Sequence, residues 1–384
     1  MKKQRIIIAG GGFAGLNAAR ALGSLQNAEV MLFNCNNYTA MLPSLPDLAG
    51  NRISSDLVTG DIRGLVPRCT EFVGERILLA DLDSRVVRSE RSEYPYDYLV
   101  ISTGARTAFH GFSQNLDRVY TLDSFDSAQR IRDDFSAYLE SPADEKNVII
   151  SGASYTGLEL ACALRLSARS RDQDLKITLV DVRDSVLPFL SPGQKKYALQ
   201  HIRSLDIDLM TGRRVTEFDG HTVTVDDGFT VKNVFFCWTA GSEFGMDISG
   251  AVQQITDGRI LVDDLLRIPE YTRVFVCGDA AAIHTDTGYL RKAVNFAVYS
   301  GRCAGKNIRC SLAGRKLKRF RPADLGWVLP LQSASTGLVF GMIPVRGRKG
   351  LFLHYIMTGL RSYRFSQRIR YAARALHELV RTGR

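Results

Sequence analysis

Residues 5–20 read RIIIAGGGFAGLNAAR. Ile6, Ile7, Ile8 and Ala9 run straight into Gly10, Gly12 and Gly15, and a helix-forming run follows. The stretch therefore predicts a strand, a tight turn and a helix. G-x-G-x-x-G in that context is the fingerprint of a dinucleotide-binding turn. Gly10 allows the turn, Gly12 lets the backbone approach a pyrophosphate, and Gly15 lets helix and strand pack closely. Phe13 and Ala14 lie between them, at a helix start whose N–H groups and dipole face the phosphates. The competing reading, a glycine-rich turn with no ligand, loses ground to the stretches that follow.

The next strand, EVMLFN at 29–34, ends where an acid usually accepts the ribose 2′-hydroxyl; here the residue is Asn34. An amide accepts one hydrogen bond there but not a charge-assisted pair. NNYTAMLPSLPDLAG (36–50) carries two prolines and cannot form a long helix. Short strands at 71–73, 76–79 and 86–88, separated by polar breaks, suggest an antiparallel excursion. YDYLVISTGA (96–105) is a buried strand ending in Ser-Thr-Gly, where Thr103 and Gly104 can bring backbone close to a cofactor. A connection over 107–118 and an amphipathic helix over 124–139 follow.

NVIISGASYTGLELACALRL then repeats the strand–turn–helix pattern, with Gly152, Ser154 and Gly157 in the fingerprint positions. Ser154 in the middle position can crowd a pyrophosphate or donate to it. The following strand, KITLVD, ends at Asp181, 29 residues after Gly152, about where a ribose partner belongs. NVFFCWTAG (233–241) is another buried strand closing on a small turn at Gly241, and RVFVCGDAA (273–281) sets Gly278 and Asp279 at a strand end. Asp279 can accept hydrogen bonds from a ribityl chain or serve as a turn aspartate. A helix over 292–308 follows it. Two fingerprints imply two nucleotide sites in a doubly built α/β chain.

Composition places the chain among ordinary soluble globular proteins: 384 residues, 45% hydrophobic and 23% charged. The net charge of +10 is uneven, since residues 311–384 hold 15 basic against 2 acidic residues, leaving the preceding 310 slightly negative. Such a tail suits nucleic acid, anionic lipid or an acidic partner. Seven cysteines show no C-x-x-C or C-x4-C pair, and an odd count suits a reducing compartment. No apolar run reaches the ~20 residues of a membrane-spanning helix, and the opening MKKQRIII is too short in its apolar part for a signal peptide. No metal-ligating cluster stands out.

RIIIAGGGFAGLNAAR, NNYTAMLP, YDYLVISTGA, GASYTGLELA, CWTAG, VFVCGDAA and GRCAGKNI, in this order, resemble the two-dinucleotide-binding flavoproteins. Within them the chain is similar to the type II NADH:quinone dehydrogenases over essentially its whole length. The resemblance implies two Rossmann-like domains: an FAD domain at 1–110 and 246–318, interrupted by an NADH domain at 111–245, then a membrane-associating segment at 319–384. It implies hydride passing from NADH to FAD and electrons on to a membrane quinone, without proton pumping. By position, Gly10, Gly12, Phe13, Ala14, Gly15, Asn34, Thr103, Gly104, Gly278 and Asp279 would surround FAD, and Pro43 would lie in the loop near the flavin ring. Gly152, Ser154, Gly157, Asp181 and Gly241 would hold NADH. Glu159 matches a catalytic Glu near the nicotinamide–flavin contact; otherwise it is a first-turn acid favoured by the helix dipole. The A-Q-x-A-x-Q pattern of the family's quinone site is replaced here by Val294, Asn295, Phe296, Ala297, Val298 and Tyr299.

In the tail, LFLHYIMTGL (351–360) is apolar but too short to span a bilayer. Residues 361–381 place Phe365, Ile369, Ala372, Leu376 and Val380 at helical spacing, among Arg361, Arg364, Arg368, Arg370 and Arg374. A basic amphipathic helix of this kind lies in an anionic interface, which implies a peripheral protein on the cytoplasmic face of a membrane. The other occupants for such a helix are its own protein or a second subunit; no base-reading motif supports nucleic acid. Two further readings stand beside the dehydrogenase: a soluble NAD(P)H diaphorase or ferredoxin-type reductase, and a flavin-bound interaction protein without turnover.

Overall fold

The structure is a computed structural model and describes residues 3–142, 145–188, 190–286 and 288–380. Its α-helices, in chain order, are α1 (Phe13–Leu22), α2 (Leu45–Ala49), α3 (Phe125–Glu140), α4 (Tyr155–Arg169), α5 (Pro192–Ser204), α6 (Val294–Leu312), α7 (Gly347–Arg361) and α8 (Phe365–Val380). The chain divides into two compact units. The first comprises Met1–Thr39, Gly60–Arg106 and Ser242–Asp324; the second comprises Ala40–Thr59, Thr107–Gly241 and Leu325–Arg384.

The first unit is built on a six-stranded sheet. Its order is Arg267–Ile268, Tyr271–Val276, Tyr98–Ile101, Gln4–Ala9, Ala28–Phe33, Thr70–Val73. All neighbours run parallel except the short Arg267–Ile268 edge. Ile6, Ile7 and Ile8 are fully buried at its centre, paired with Val30, Met31 and Leu32. A near-continuous apolar run is what a strand covered on both faces requires. The antiparallel excursion expected from 71 to 88 begins only at Ile77: Ile77–Asp81, Val86–Ser89 and Glu93–Pro95 pair antiparallel, whereas Thr70–Val73 joins the main sheet in parallel; Asp247–Ser249 adds to the excursion in parallel. Helices α1 and α6 pack tightly: a Cβ on Gly301 would sit 2.0 Å from the Ala14 carbonyl oxygen, and one on Gly305 2.5 Å from that of Ala18.

The second unit repeats the plan with five parallel strands, ordered Tyr120–Thr121, Val234–Trp238, Asn147–Ser151, Lys176–Asp181, Ile207–Thr211. An aromatic-rich core gathers Phe218, Phe236 and Trp238 with the aliphatic side chains of Ile149 and Val180. Helix α3 opens with Ser124 as its cap, in a reciprocal capping box with Ser127. An antiparallel sheet of Gly326–Pro330, Ser335–Val339 and Ile343–Arg346 precedes α7 and α8.

The helix expected over 361–381 begins at Phe365, and Arg361 instead closes a preceding helix over an apolar stretch not expected to be helical. Helix α7 ends at Arg361 and α8 begins at Phe365, because Ser362 takes an extended conformation and caps the end of α7. Arg381, the last residue of the expected helix, lies outside the described residues. Along α8, Gln367, Tyr371, Ala375 and Glu378 are buried, whereas Phe365, Ile369, Leu376 and Val380 are exposed. The buried face holds to the Ala40–Thr59 segment. Gln367 Nε2 donates to the carbonyls of Asp56 and Thr59 (2.8 Å each) while its Oε1 accepts from the N–H groups of Tyr363 and Arg364. Tyr371 and Ser44 share a hydroxyl hydrogen bond of 2.7 Å, and Tyr363 donates to the Ala40 carbonyl at 3.0 Å. Helix α8 thus presents polar groups inward and apolar groups outward, the reverse of an ordinary surface helix. No described helix is long and apolar enough to cross a membrane.

Candidate nucleotide-binding sites

In the first unit, Gly10 takes φ +102°, and a Cβ there would meet the Ser102 carbonyl oxygen at 2.5 Å. Gly15 is equally constrained, with its virtual Cβ 1.9 Å from the Gly10 carbonyl oxygen. Gly12 differs: nothing lies within 4 Å of its virtual Cβ, which faces open space. Helix α1 starts at Phe13 with Gly12 as its cap residue, no side-chain cap and no acid in its first turn. Such an end is a ready anion site. Phe13 and Ala14 are buried in that turn.

The second unit builds the same device. Gly152 has φ +103° with its virtual Cβ 2.7 Å from Ala240, and that of Gly157 is 1.9 Å from the Gly152 carbonyl oxygen. Helix α4 again starts without a side-chain cap, on Ser154, and without a first-turn acid. The residues at the ends of the second strands also act alike. Gly11 N–H donates to Asn34 Oδ1 at 2.9 Å, and Ala153 N–H donates to Asp181 Oδ2 at 2.8 Å. Each side chain thereby pins the glycine turn of its own unit.

Two residues outside the sequence reading complete this symmetry. Ser102 Oγ lies within hydrogen-bond distance of the carbonyls of Ala9 (2.8 Å) and Gly10 (3.0 Å), and Thr239 Oγ1 does the same to Ser151 (3.1 Å) and Gly152 (3.0 Å). Each hydroxyl sits where the third glycine leaves room, 2.7 Å from the virtual Cβ of Gly15 and 2.8 Å from that of Gly157. The signal was available in principle, as a hydroxyl residue after the strand next to each fingerprint strand.

Asn34 is already engaged, since its Nδ2 donates to the Asn36 carbonyl at 2.8 Å. Asp181 is more so. Arg183 holds both its oxygens from Nε and Nη2, at 3.0 Å each, and Arg183 N–H adds a third bond at 2.9 Å. Burial opposes the charge on Asp181, yet these bonds hold its carboxyl below the ordinary carboxylate range. Gly241 is exposed with φ +133°, and a Cβ there would meet the His110 ring at 2.4 Å. Thr103 is exposed, and Gly104, at φ +72°, has nothing within 4 Å of its virtual Cβ.

Gly278 and Asp279 open a single 3₁₀ turn after the strand Tyr271–Val276, and Gly278 N–H donates to Ser300 Oγ at 2.9 Å. No donor among the described residues bonds the Asp279 carboxylate; burial pushes its pKa up, with Lys292 and Arg259 acting against that shift. An unsatisfied, half-buried carboxylate beside a glycine turn fits a polyhydroxyl chain as partner. Pro43 lies in the 3₁₀ turn Leu42–Ser44 of the second unit. The six residues standing in the quinone pattern open α6, where Asn295 is buried and donates to the Ala323 carbonyl at 3.1 Å.

Glu159 is not a first-turn acid. It stands in the second turn of α4, buried, and makes no hydrogen bond to a described residue. Burial pushes its pKa well above the ordinary value, and the charge of Asp47 pushes the same way. Both influences favour the neutral, protonated form of this carboxyl.

The family model for "Pyridine nucleotide-disulphide oxidoreductase" matches residues 4–301. The chain belongs to this family. The type II NADH:quinone oxidoreductase of Staphylococcus aureus is 24% identical over 385 residues, spanning 92% of this chain and 94% of the relative. Among solved structures, NDH2 from Plasmodium falciparum in complex with NADH aligns with TM-score 0.85 at 14% identity, covering 99% of each chain. The sulfide:quinone oxidoreductase of Aquifex aeolicus aligns with TM-score 0.76 at 16% identity, covering 99% of this chain and 96% of its own. These structures share the fold. Although the family is named for disulphide chemistry, all seven cysteines of this pyridine nucleotide-disulphide oxidoreductase are free. Burial raises the pKa of Cys162, Cys237 and Cys277, which keeps them as thiols rather than reactive thiolates.

Proposed function

We propose that the chain is an FAD-dependent oxidoreductase that takes hydride from NADH and passes electrons to a membrane quinone without pumping protons. The observation that carries this reading is the pair of glycine turns built alike, each opening onto an uncapped helix, in a chain matched over nearly its whole length by a type II NADH:quinone oxidoreductase. Bound FAD would supply the hydride acceptor and electron donor, chemistry that no side chain offers.

The residues divide the work. Gly10, Gly12 and Gly15, with the Phe13–Ala14 turn of α1, hold the FAD pyrophosphate, the open space at Gly12 being the approach path. Asn34 fixes that turn and lends its remaining acceptor capacity to the ribose; Thr103 and Gly104 close the backbone shell, Gly278 sets the turn, and Asp279 takes the ribityl hydroxyls. Pro43 belongs to the loop for the flavin ring. Gly152, Ser154, Gly157 and Gly241 shape the NADH site, with Asp181 on its ribose. On this assignment residues 1–110 and 246–318 serve FAD, 111–245 serve NADH, and 319–384 serve the membrane.

Reducing a quinone with NADH consumes one proton beyond the hydride. Burial in the second turn of α4 favours the protonated form of Glu159, and we assign it as the acid that supplies this proton. The outward apolar stripe of α8, with exposed Arg364 and Arg368 beside it, docks the enzyme peripherally on the cytoplasmic face of an anionic membrane. A second copy of the chain is the competing occupant of that stripe. Flotation with anionic vesicles, and quinone-dependent NADH oxidation in the floated fraction, test the whole reading. A protein that floats but does not oxidise NADH refutes the enzyme; one that oxidises NADH but does not float refutes the membrane dock.

A further inference from the structure

Unit two buries a set of charges that hydride transfer does not use. Arg52 Nη2 donates to Glu378 Oε1 of α8 at 2.7 Å, and its Nη1 lies 3.6 Å from Asp47 Oδ1 of α2. Tyr355 of α7 donates its hydroxyl to the Asp47 carboxylate, at 3.2 and 3.0 Å from the two oxygens. Arg374 closes the set on Glu378 Oε1 at 2.9 Å. Two carboxylates and two guanidiniums balance. A buried ion network of this kind is often no more stabilising than apolar residues of the same volume.

The backbone packing brings α2, which carries Asp47, against α4, which carries Glu159. A Cβ on Gly50 would lie 2.8 Å from the Ala163 Cβ, so α2 and α4 meet there without space to spare. Asp47 stands one turn before Gly50 and Glu159 one turn before Ala163, both are buried, and the charge of Asp47 is felt at Glu159. From α4 itself Cys162 faces the same region; from α7 come His354 and Tyr355, from α8 Arg374 and Glu378, and from the turn after α2 Arg52. His354 is buried, its Nε2 has no partner among the described residues, and burial lowers its pKa, so it adds no counter-charge.

We propose that Asp47 is a positioning residue for the proton of Glu159, its carboxylate oriented by Tyr355 and Arg52, and that Glu378 of the C-terminal helix completes the arrangement. Asp47 acts electrostatically across the close contact of α2 and α4 and touches no substrate. Its negative charge makes release of the Glu159 proton costlier, while Arg52 and Glu378 keep that charge in one place. Helix α8 therefore contributes to the proton chemistry of the second unit as well as presenting its outward stripe. This inference rests on Glu159 being the acid of the proposed function.

The test pairs a rate with a stability measurement on the full-length enzyme. If Glu159 must carry a proton, kcat for quinone reduction falls as pH rises through its pKa, and Glu159→Gln loses that alkaline limb. Asp47→Asn keeps the shape and still accepts the Tyr355 hydroxyl, but should move the limb to lower pH by about one unit, a tenfold change in proton affinity. Asp47→Glu should restore it, and Glu378→Gln should move it the same way by less. The urea midpoint of Glu159-containing and Glu159→Gln proteins, compared across pH, reports the same proton affinity without turnover, and should show the same displacement in Asp47→Asn. A limb and a stability profile unmoved by Asp47→Asn would overturn the inference. A limb that survives Glu159→Gln would instead refute Glu159 as the acid, leaving the urea midpoints to decide on Asp47. Should Asp47→Asn not fold, Glu378→Gln carries the test, and an unmoved profile there refutes the link through α8.

Discussion

Replacing Phe365 and Ile369 together with Ser isolates the membrane dock from everything else the C-terminal helix does. Their side chains are exposed (76% and 55%), on the face opposite Gln367, Tyr371, Ala375 and Glu378, so little packing is lost. Full burial of a large apolar side chain is worth about 1.5–3 kcal/mol. Scaling by those exposures, the pair contributes about 2–4 kcal/mol to membrane transfer, the upper end for complete immersion. At about 1.4 kcal/mol per tenfold, partition onto anionic vesicles should fall roughly 30- to 700-fold. Leu376 and Val380, also exposed, keep residual binding from vanishing. The assay is vesicle flotation over a titration of lipid, at low and high salt. Salt weakens the basic residues' share, each on the order of 1 kcal/mol, but not the apolar share. Circular dichroism and the thermal midpoint should match the parent. An unchanged partition, with the fold intact, refutes the outward stripe as a membrane surface and turns attention to a second subunit.

Gly12→Val should purify folded and lack flavin, since its side chain enters space that nothing in the protein fills; Gly15→Ala should instead cost stability, at the upper end of the ~1–3 kcal/mol of overpacking, because the Gly10 carbonyl oxygen is 1.9 Å from the new atom. A Gly12→Val protein with full flavin content places FAD elsewhere. NADH should outperform NADPH in kcat/KM, and Arg183→Ala should widen the gap by removing a cation bonded to Asp181 that could meet a 2′-phosphate; equal values in the parent protein reject Asp181 as the ribose partner. The raised pKa of Glu159 means the native state holds a proton that the unfolded chain, titrating at ~4.3, has already released. Its effect on stability is therefore most favourable at acid pH and declines as pH rises toward the folded value, so Glu159→Gln should flatten the pH dependence of the thermal midpoint and raise it at alkaline pH. Truncation after Gly350 should lower the thermal midpoint as well as abolish flotation, because it strips Ser44, Asp47, Arg52 and Asp56 of their partners Tyr371, Tyr355, Glu378 and Arg370.

The two fingerprints were legible because glycine spacing, apolar strand and helix start all agree locally, and the structure builds both turns on that plan. Ser102 and Thr239 were missed for the opposite reason: their role depends on a carbonyl brought from 87 to 93 residues away. Asn34 and Asp181 stood out as ribose partners, but their first use, pinning the glycine turn of their own unit, is visible only in three dimensions. The tail shows the limit of periodicity. Its stripe of Phe365, Ile369, Ala372, Leu376 and Val380 was readable, yet the pattern cannot say whether a stripe faces core or solvent; all but the half-buried Ala372 are exposed. That is settled by Gln367, Tyr371 and Glu378, whose hydrogen bonds reach residues more than 300 positions earlier. The break at Ser362 carries neither Pro nor Gly, so the division into α7 and α8 had no local marker.

The most direct measurement is the visible spectrum of the purified protein under anaerobic conditions, before and after stoichiometric NADH and then after a quinone. The account predicts an oxidised flavin band that NADH bleaches and the quinone restores. A protein that carries no flavin, or a flavin band that NADH leaves unchanged, contradicts it.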